Sequence, residues 1–314
     1  MNILVTGGAG FIGSHFIKKL IGKHEIICID NMNEYYDVSI KQARLAEFKD
    51  NIKFYQIDIA DKDALEKVFK ENKIDKICHF AAQAGVRYSL ENPFIYADSN
   101  YIGTLNLFEF AKRYKVDHVV FASTSSIYGL NTEMPFTEDQ RVDTPISIYS
   151  ASKRGCELLG HTYNHLFGLN VTCLRFFTVF GPFGRPDMAL FIFTKNILED
   201  KPINVYNNGN MMRDFTYVED IAEGFLLAMD KPMGFEIINI GAGNPTKLMD
   251  YIKYIEENLK KKAKINFMGM QPGDVKATWA DISKAKKLLD YEPKVDVKTG
   301  VRRFIEWYRG YYNK

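Results

Sequence analysis

The chain has 314 residues, and its 41 basic and 39 acidic side chains leave a formal charge of +2. This balance gives no basic footprint, so a nucleic-acid partner is not expected. No run approaches ~18 consecutive apolar residues and no cationic leader precedes the first strand, so we expect neither a membrane span nor a signal peptide. The four cysteines stand in apolar or helical settings without C-x-x-C spacing, which favours core packing in a reducing, cytoplasmic compartment.

The first elements are typical of a dinucleotide-binding fold. A short apolar strand, Asn2 to Val5, leads into TGGAGFIG (Thr6 to Gly13) and an amphipathic helix. Glycines let the backbone turn tightly beside a pyrophosphate, which then meets the free amides at the helix N-terminus. The next strand ends at Asp30, 17 residues after Gly13, where the acid that holds the adenosine ribose is expected. A carboxylate there repels a 2′-phosphate, so the sequence predicts NAD rather than NADP.

Strands and helices then alternate along the chain. Strands are predicted at Ile52 to Ile57, Lys76 to Ala82 and His118 to Thr124, and a long helix at Pro93 to Tyr114. Such alternation predicts right-handed crossovers and a parallel sheet covered on both faces. It stops after the strand Asn170 to Phe177.

We therefore expect an α/β protein with two parts. Residues 1–177 are predicted to form an NAD-binding domain with a Rossmann-type, doubly wound parallel sheet. Residues 178–314 are predicted to form a smaller C-terminal α/β lobe for the substrate, with a helix near Thr246 to Lys262. The strand Phe235 to Ile240 belongs either to that lobe or to the main sheet.

One segment carries residue types suited to acid–base chemistry. The run FASTSSIYG (Phe121 to Gly129) ends in hydroxyls, and Tyr149 and Lys153 follow, four residues apart on one face of a predicted helix. A free phenol has a pKa near ~10, and an adjacent ammonium favours the phenolate. The pattern predicts a general base, Tyr149, whose pKa Lys153 lowers, with Thr124 relaying the proton. A surface tyrosine beside a solvated lysine gives the same spacing.

Glu157, His161 and His165 follow on the same helix at steps of four. Three side chains spread over eight residues of a straight helix span ~12 Å, which is too far to converge on one ion. We predict surface or packing histidines and no metal site.

The glycine-rich loop, followed by the hydroxyls, Tyr149 and Lys153, resembles the extended short-chain dehydrogenase/reductase family. Its active site is a Thr/Ser, Tyr and Lys triad on a dinucleotide-binding fold. The resemblance implies that Thr124, Tyr149 and Lys153 are catalytic and that NAD is the cofactor. The cofactor-binding positions that it implies are Gly7, Gly10, Phe11, Ile12, Gly13, Asp30, Asn31, Asp58, Ile59, Ala81, Ala82, Gln83, Asn100, Tyr149, Lys153 and Phe177.

The motif RDFTYVED (Arg213 to Asp220) is similar to that of the nucleotide-sugar epimerases and dehydratases. This similarity implies that Arg213 grips the diphosphate, that uracil packs on Tyr206 and that Asp274 holds a ribose hydroxyl. Gln271 departs from the pattern, since many UDP-galactose epimerases place a second phosphate-binding arginine near it.

Two serines distinguish epimerisation from dehydration. Sugar 4,6-dehydratases have Asp-Glu after the triad threonine, because elimination of water needs a further acid and base. This chain has Ser125 and Ser126 there. Epimerisation needs only the triad, a hydride acceptor and room for the sugar to turn.

A narrower similarity is to the UDP-glucuronate 4-epimerases. It lies in DNMNEYYD (Asp30 to Asp37), AAQAGVRYSLENP (Ala81 to Pro93) and above all RFFTVFGPFGRPDMALF (Arg175 to Phe191). It implies an isomerase that interconverts UDP-glucuronate and UDP-galacturonate through a 4-keto intermediate and forms a homodimer. Arg185 would contact the sugar carboxylate, and the other substrate-binding positions are Arg87, Thr124, Ser125, Ser126, Tyr149, Thr178, Tyr206, Arg213 and Asp274.

Alternatives remain at this point. Arg185 could instead be a loop arginine that pairs with Asp187. A UDP-glucose or UDP-N-acetylhexosamine 4-epimerase would not need Arg185 at all. An NAD-binding redox sensor without turnover is the alternative outside the enzymes, and it would need neither Tyr149 nor Lys153.

Overall fold

The computed structural model of the chain describes residues 1–271 and 273–314. Its strands, in chain order, are β1 (Asn2–Thr6), β2 (Glu25–Ile29), β3 (Lys53–Tyr55), β4 (Lys76–His79), β5 (His118–Thr124), β6 (Asn170–Phe176), β7 (Thr178–Phe180), β8 (Ile203–Val205), β9 (Met212–Arg213), β10 (Phe215–Tyr217), β11 (Phe235–Ile240), β12 (Thr246–Lys247) and β13 (Ile265–Phe267). Its α-helices are α1 (Phe11–Leu20), α2 (Val38–Ala46), α3 (Lys62–Glu71), α4 (Tyr88–Glu91), α5 (Gly103–Arg113), α6 (Ile148–Phe167), α7 (Ala189–Leu198), α8 (Val218–Met229), α9 (Leu248–Leu259), α10 (Ser283–Leu289) and α11 (Val297–Tyr312).

Seven strands form one parallel sheet in the order β11-β6-β5-β4-β1-β2-β3. Successive residues of a strand point to opposite faces, and here both faces are buried. In β1, Ile3 and Val5 pack with α1 and α8, whereas Leu4 packs with α3 and α5 on the other side. This accounts for the nearly continuous apolar strands, since a sheet covered by helices on both faces has no solvent side. The predicted α/β, Rossmann-type fold is confirmed.

The C-terminal part of the chain completes this sheet. β11 pairs with β6, with Phe235 opposite Val171 and Ile240 opposite Phe176, so the strand that the sequence left open belongs to the main sheet. Ile221 of α8 lies in the same apolar cluster as the side chains of β1. The division into domains at residue 177 stays a prediction.

A separate apolar cluster holds the later elements together. It joins side chains of β7, β8, β10, α7, α9 and α11. At its centre, the rings of Phe215 and Tyr251 stack with centroids 3.9 Å apart. Phe304 and Tyr308 of α11 are buried here. The C-terminal aromatic stretch therefore packs against this part of the chain, as the sequence indicated.

Several predicted boundaries were wrong. The helix predicted from Pro93 to Tyr114 is a π-helix over Tyr96–Ile102 that continues into α5, because hydrogen-bond ring size cannot be read from apolar periodicity. The helix predicted from Thr246 begins at Leu248, since Thr246 pairs with Arg213 of β9. The strand predicted from Lys76 to Ala82 ends at His79, where the chain turns along the sheet edge.

No helix in the described part of the chain combines the length and apolar character needed to cross a membrane. All four cysteines are free and buried, at Cys28, Cys78, Cys156 and Cys173.

A buried ion pair connects α6 to the sheet. Nε and Nη2 of Arg175, on β6, donate to Oε1 and Oε2 of Glu157, on α6, each at 2.9 Å. Ser123 of β5 donates to the same carboxylate, and Arg175 also donates to the Tyr128 hydroxyl. The Tyr128 hydroxyl in turn donates to Asn239 of β11. Burial lowers the pKa of Arg175, but its partners, chiefly the Glu157 carboxylate, raise it by more, so both side chains of the pair are charged.

We expect Arg175→Met to lower the free energy of unfolding by about 3–5 kcal/mol, because it leaves the Glu157 carboxylate buried without its main partner. Denaturant unfolding measures this loss. Arg113→Met, at the exposed pair of Arg113 with Glu66, is the control, for which a loss below about 1 kcal/mol is expected. A similar small change in both variants would contradict the structural role of the buried pair.

Candidate active site

A cleft of about 360 Å³ lies along the carboxyl ends of the central strands. Open α/β sheets bind ligands at this edge. The glycine-rich loop after β1 forms one wall, and Thr124, Tyr149 and Arg185 lie in the same cleft. It therefore unites the predicted dinucleotide site with the predicted chemistry.

The glycine-rich loop has no room for side chains. Gly7 has a φ of +72°, and a Cβ on it would lie 2.6 Å from the backbone nitrogen of Ala81. A Cβ on Gly13 would lie 2.3 Å from the carbonyl oxygen of Gly7. Helix α1 begins at Phe11, directly after this turn. The close approach of backbone to backbone, at a helix N-terminus, fits a pyrophosphate group.

Asp30 lies at the end of β2, on the cleft wall, as predicted. Its carboxylate accepts hydrogen bonds from the amides of Ala9 (3.1 Å) and Met32 (2.9 Å). Burial raises the pKa of Asp30, and the nearby Lys41 ammonium, 4.0 Å away, opposes this shift. Farther along the same wall, Asn31 donates to Asp58 at 2.8 Å. The carboxylate thus faces the predicted ribose end of the site with a lysine beside it.

Helix α6 presents Tyr149 and Lys153 from its first two turns. Ser147 caps this helix, because its hydroxyl accepts from the amide of Ser150 while the Ser150 hydroxyl accepts from the amide of Ser147. The Lys153 ammonium donates to the carbonyl oxygen of Ala122 on β5 at 2.9 Å. The cap and this bond fix the helix against the strand that ends at Thr124.

The lowering of the Tyr149 pKa by Lys153 stays a prediction. Burial raises the pKa of Tyr149, and a hydrogen bond with Thr124 and the charge of Arg185 lower it. Lys153 is itself buried, and burial lowers its pKa to about 8. The Lys153 ammonium is directed to the carbonyl of Ala122, and the charge of Arg185 makes the smallest of these contributions to the pKa of Tyr149.

Arg185 pairs with Asp187. The sequence allowed this pairing as an alternative to contact with the sugar carboxylate. Nε of Arg185 donates to Oδ1 of Asp187 at 3.0 Å, and Nη2 donates to Oδ2 at 2.5 Å. Both residues are largely buried, with 21% and 31% of their side chains exposed. Arg185 nevertheless lines the cleft together with Thr178, Ser125 and Ser126.

Four predicted substrate residues lie outside the lining of this cleft. Arg213 donates to Oδ1 of Asp274 at 2.6 Å and to nearby carbonyl oxygens. The guanidinium of Arg87 lies 4.9 Å from the ring centroid of Tyr206. Both groups adjoin the cleft where Gly273, next to Asp274, meets Val86, next to Arg87: a Cβ on Gly273 would lie 3.3 Å from Val86, which lines the cleft.

Asn100 supports the cleft from behind. Its side chain accepts from the amide of Gln83 (2.7 Å) and donates to the carbonyl of Gln83 and to the hydroxyl of Ser152. It lies in the π-helix before α5. Asn100 is therefore placed to position Gln83 and is not part of the lining. The other predicted cofactor-binding residues line the cleft: Gly7, Gly10, Phe11, Ile12, Gly13, Asp30, Asn31, Asp58, Ile59, Ala81, Ala82, Gln83, Tyr149, Lys153 and Phe177.

A family model described as GDP-mannose 4,6 dehydratase matches residues 4–304. The chain belongs to this family. It is 50% identical over 308 residues to a UDP-glucuronate 4-epimerase of Thermodesulfobacterium geofontis, an alignment that covers 97% of this chain and 95% of that relative.

Solved structures of other family members share the fold. A UDP-glucuronic acid 4-epimerase from Bacillus cereus, in complex with UDP-glucuronic acid and NAD, has a TM-score of 0.94 at 36% identity and covers 99% of this chain and 100% of that one. A UDP-glucose 4-epimerase from Thermotoga maritima, with UDP-glucose, has a TM-score of 0.92 at 33% identity with the same coverage.

Part of the cleft lining was not predicted from the sequence. Asn33, Tyr35, Tyr36 and Lys41 line the cleft from the segment after β2, and Met188 lines it from the loop after β7. Apart from Lys41, these residues lie in two motifs that resembled the UDP-glucuronate 4-epimerases, DNMNEYYD (Asp30 to Asp37) and RFFTVFGPFGRPDMALF (Arg175 to Phe191). The motifs identified the segments, but only the fold shows which of their side chains face inward.

Within residues 1–271 and 273–314, no group of three or more His, Cys, Asp or Glu side chains is arranged to hold a metal ion. The rings of His161 and His165 stack on each other along α6, with centroids 6.4 Å apart.

We expect Lys153→Met to be more stable than the native protein at pH 7, by up to about 3 kcal/mol. The pKa of Lys153 is about 8 in the folded protein, against 10.5 for an exposed lysine. Below pH 8 folding therefore buries a charged ammonium. This cost falls as the pH rises from 8 towards 10.5, and the stability difference falls with it. Unfolding curves across this range measure the difference, with the exposed Lys67→Met as control. A less stable variant at pH 7 would contradict the expectation.

Proposed function

We propose that the chain catalyses the NAD-dependent 4-epimerisation of UDP-glucuronate to UDP-galacturonate through a 4-keto intermediate. The observation that carries the proposal is one cleft that holds the glycine-rich loop, Thr124, Tyr149 and Arg185 together. A redox sensor needs the loop but not the triad. The curated relative at 50% identity, which is a UDP-glucuronate 4-epimerase, supports the same activity.

The residues of the cleft have distinct tasks in this reaction. Tyr149, hydrogen-bonded to Thr124 and near the charge of Arg185, takes the proton of the 4-hydroxyl as a general base. Hydride exchange with C4 of the sugar is the chemistry that bound NAD supplies. The glycine-rich loop, Asp30 and Lys153 bind that cofactor. After the sugar turns, Tyr149 returns the proton as hydride adds to the opposite face of C4.

The nucleotide is proposed to extend from the cleft towards Arg213, Asp274 and Tyr206. In support, this group adjoins the cleft through Val86 and Gly273. Arg213 would exchange part of its pairing with Asp274 for the diphosphate, and uracil would pack beside Tyr206. Residues 178–314 are thus proposed to supply most of the nucleotide-sugar-binding lobe.

Arg185 is proposed to contact the sugar carboxylate, with Arg87 and Thr178 nearby. Oxidation of C4 in a uronic acid gives a β-keto acid. Such an acid loses carbon dioxide when its carboxylate leaves the plane of the C4 carbonyl, because the electron pair of the breaking bond can then spread into the ketone. A planar guanidinium holds both carboxylate oxygens and so restricts this rotation. UDP-glucose 4-epimerase activity is the second candidate, because the pairing of Arg185 with Asp187 is also what a site for a neutral sugar would allow.

We expect Arg185→Ala to lose about 100-fold or more activity on UDP-glucuronate, the scale of a lost buried charge pair, and to release some UDP-pentose by decarboxylation. Any trace activity on UDP-glucose should change little. Nuclear magnetic resonance time courses with both sugars measure these products. Arg141→Ala, at an exposed arginine that also pairs with the aspartate two residues on, is the control. Equal loss on both sugars would remove Arg185 as a carboxylate-binding residue.

We also propose a homodimer formed along α6. Leu158 and Leu166 lie eight residues apart on this helix and are exposed, as are Tyr101 and Ile102 before α5. Tyr101 packs over Gly155 of the same helix, and these four exposed side chains are called the apolar strip. Exposed apolar side chains grouped in this way mark an association surface, and two-fold dimers are the commonest assembly.

Leu158→Glu is expected to convert the dimer into a monomer, since it places a charge in the centre of the apolar strip. Size-exclusion chromatography with light scattering measures the mass. Phe267→Glu, at an equally exposed apolar residue on β13, should leave the dimer intact. A native protein of monomeric mass, or an unchanged dimer in the Leu158 variant, would overturn this proposal.

A cytoplasmic location is proposed as well. It is supported by the four free cysteines, because a reducing compartment keeps thiols unpaired.

A further inference from the structure

In the loop after β7, Asp187 pairs with the side of the Arg185 guanidinium that carries Nε. Asp187 accepts from Nε and from one N–H of Nη2, as a bidentate pair. The outer N–H of Nη2 and the neighbouring N–H of Nη1 point along parallel directions at the tip of the guanidinium, and Asp187 engages neither. Parallel N–H groups match the two oxygens of a carboxylate. These two N–H groups, the end-on fork of Arg185, can therefore bind a second carboxylate while Asp187 stays paired.

Tyr35, from the segment after β2, contacts Asp187. Its hydroxyl donates to Oδ2 of Asp187 at 3.1 Å, and its ring centroid lies 5.9 Å from Cζ of Arg185. The ring also packs against Tyr88, with centroids 4.8 Å apart. A Cβ on Gly85 would lie 2.5 Å from the Tyr35 hydroxyl, and Gly85 has a φ of +105°. Tyr35 is therefore confined between Asp187 and this glycine.

Arg44 fixes the backbone just before Arg185. Its side chain is fully buried, and its Nε and Nη2 both donate to the carbonyl oxygen of Phe183, at 3.2 and 2.7 Å. Its Nη1 donates to the carbonyl of Ala9 in the glycine-rich loop at 3.1 Å. The loop that carries Arg185 and Asp187 is therefore tied to the cofactor side of the cleft.

The charges suit this arrangement at neutral pH. Burial raises the pKa of Asp187 but the Arg185 guanidinium holds it below its usual value. Burial and the Asp187 carboxylate raise the pKa of Tyr35 to about 12, so Tyr35 is a neutral donor. Arg185 and Asp187 form an ion pair whose net charge is zero, and the substrate carboxylate therefore meets an arginine whose orientation is already set.

We propose that Asp187 and Tyr35 are positioning residues, which aim the end-on fork of Arg185 at the sugar carboxylate and thereby set the ratio of epimerised to decarboxylated product. This inference rests on the proposed function. In the competing reaction the C5–C6 bond breaks, its electron pair moves towards the C4 ketone, a proton adds at C5 and carbon dioxide leaves. The resulting UDP-4-keto-pentose becomes UDP-pentose when the hydride taken from C4 at the start is returned to it. Epimerisation requires that the carboxylate stay fixed until hydride has returned to C4.

The test is Asp187→Asn in the NAD-loaded enzyme, with UDP-glucuronate and UDP-glucose as separate substrates. An amide keeps the shape of the side chain but has an NH2 donor in place of one oxygen, so it cannot hold Nε and Nη2 of Arg185 as a bidentate pair. We expect the KM for UDP-glucuronate to rise about 10-fold or more and the share of UDP-pentose among the products to rise with it, while the KM for UDP-glucose stays unchanged. Tyr35→Phe should shift the product ratio in the same direction by a smaller factor.

Asp143→Asn is the matched control, because Asp143 pairs with Arg141 at the same spacing but on the exposed surface. It should change neither KM nor the product ratio. An active native enzyme in which both Asp187→Asn and Tyr35→Phe leave the product ratio unchanged would overturn the positioning role alone. Equal losses on the two sugars would do the same, since they would indicate a general loss of structure. A native enzyme without activity on UDP-glucuronate would overturn the proposed function and this inference with it.

Discussion

The position of Tyr149 and Lys153 depends on the buried ion pair between Glu157 on α6 and Arg175 on β6. Both side chains are almost completely excluded from solvent. A buried charge is stable only where its partner is held in place. The pair therefore fixes both the rotation of α6 about its axis and its position along the sheet. Its hydrogen bonds continue through Ser123 and Tyr128 to the outer strand β11. The geometry of the cleft therefore follows from a contact that lies outside it.

Local rules were enough to predict much of the fold from the sequence. β5 has the predicted bounds, because its apolar run is bordered by polar or turn-forming residues at both ends. The glycine spacing of Thr6 to Gly13 predicted the turn before α1, since only that backbone allows such close approach. The four-residue step from Tyr149 to Lys153 placed both side chains on one face of α6.

What the sequence could not reveal depends on contacts between distant residues. The pKa of Lys153 is low because β5 and its neighbours bury the ammonium, and burial cannot be read from spacing. Tyr35 contacts Asp187 across 152 positions of the chain. Arg213 and Asp274 were each predicted to bind the nucleotide, but the fold pairs them with each other. Charge partners of this kind decide which functional groups are available, and only the fold selects them.

The return of β11 to the main sheet has a consequence for synthesis on the ribosome. A nascent chain emerges from its N-terminus, so residues 1–177 are made well before α8 and β11. In that interval β6 is an open edge, and the apolar surface of α1 and β1 that α8 covers is bare. Open edges and bare apolar surface are the features that chaperones bind and that lead to aggregation. The central sheet is therefore completed late in translation, and the folding of residues 1–177 waits for the part of the chain that follows them.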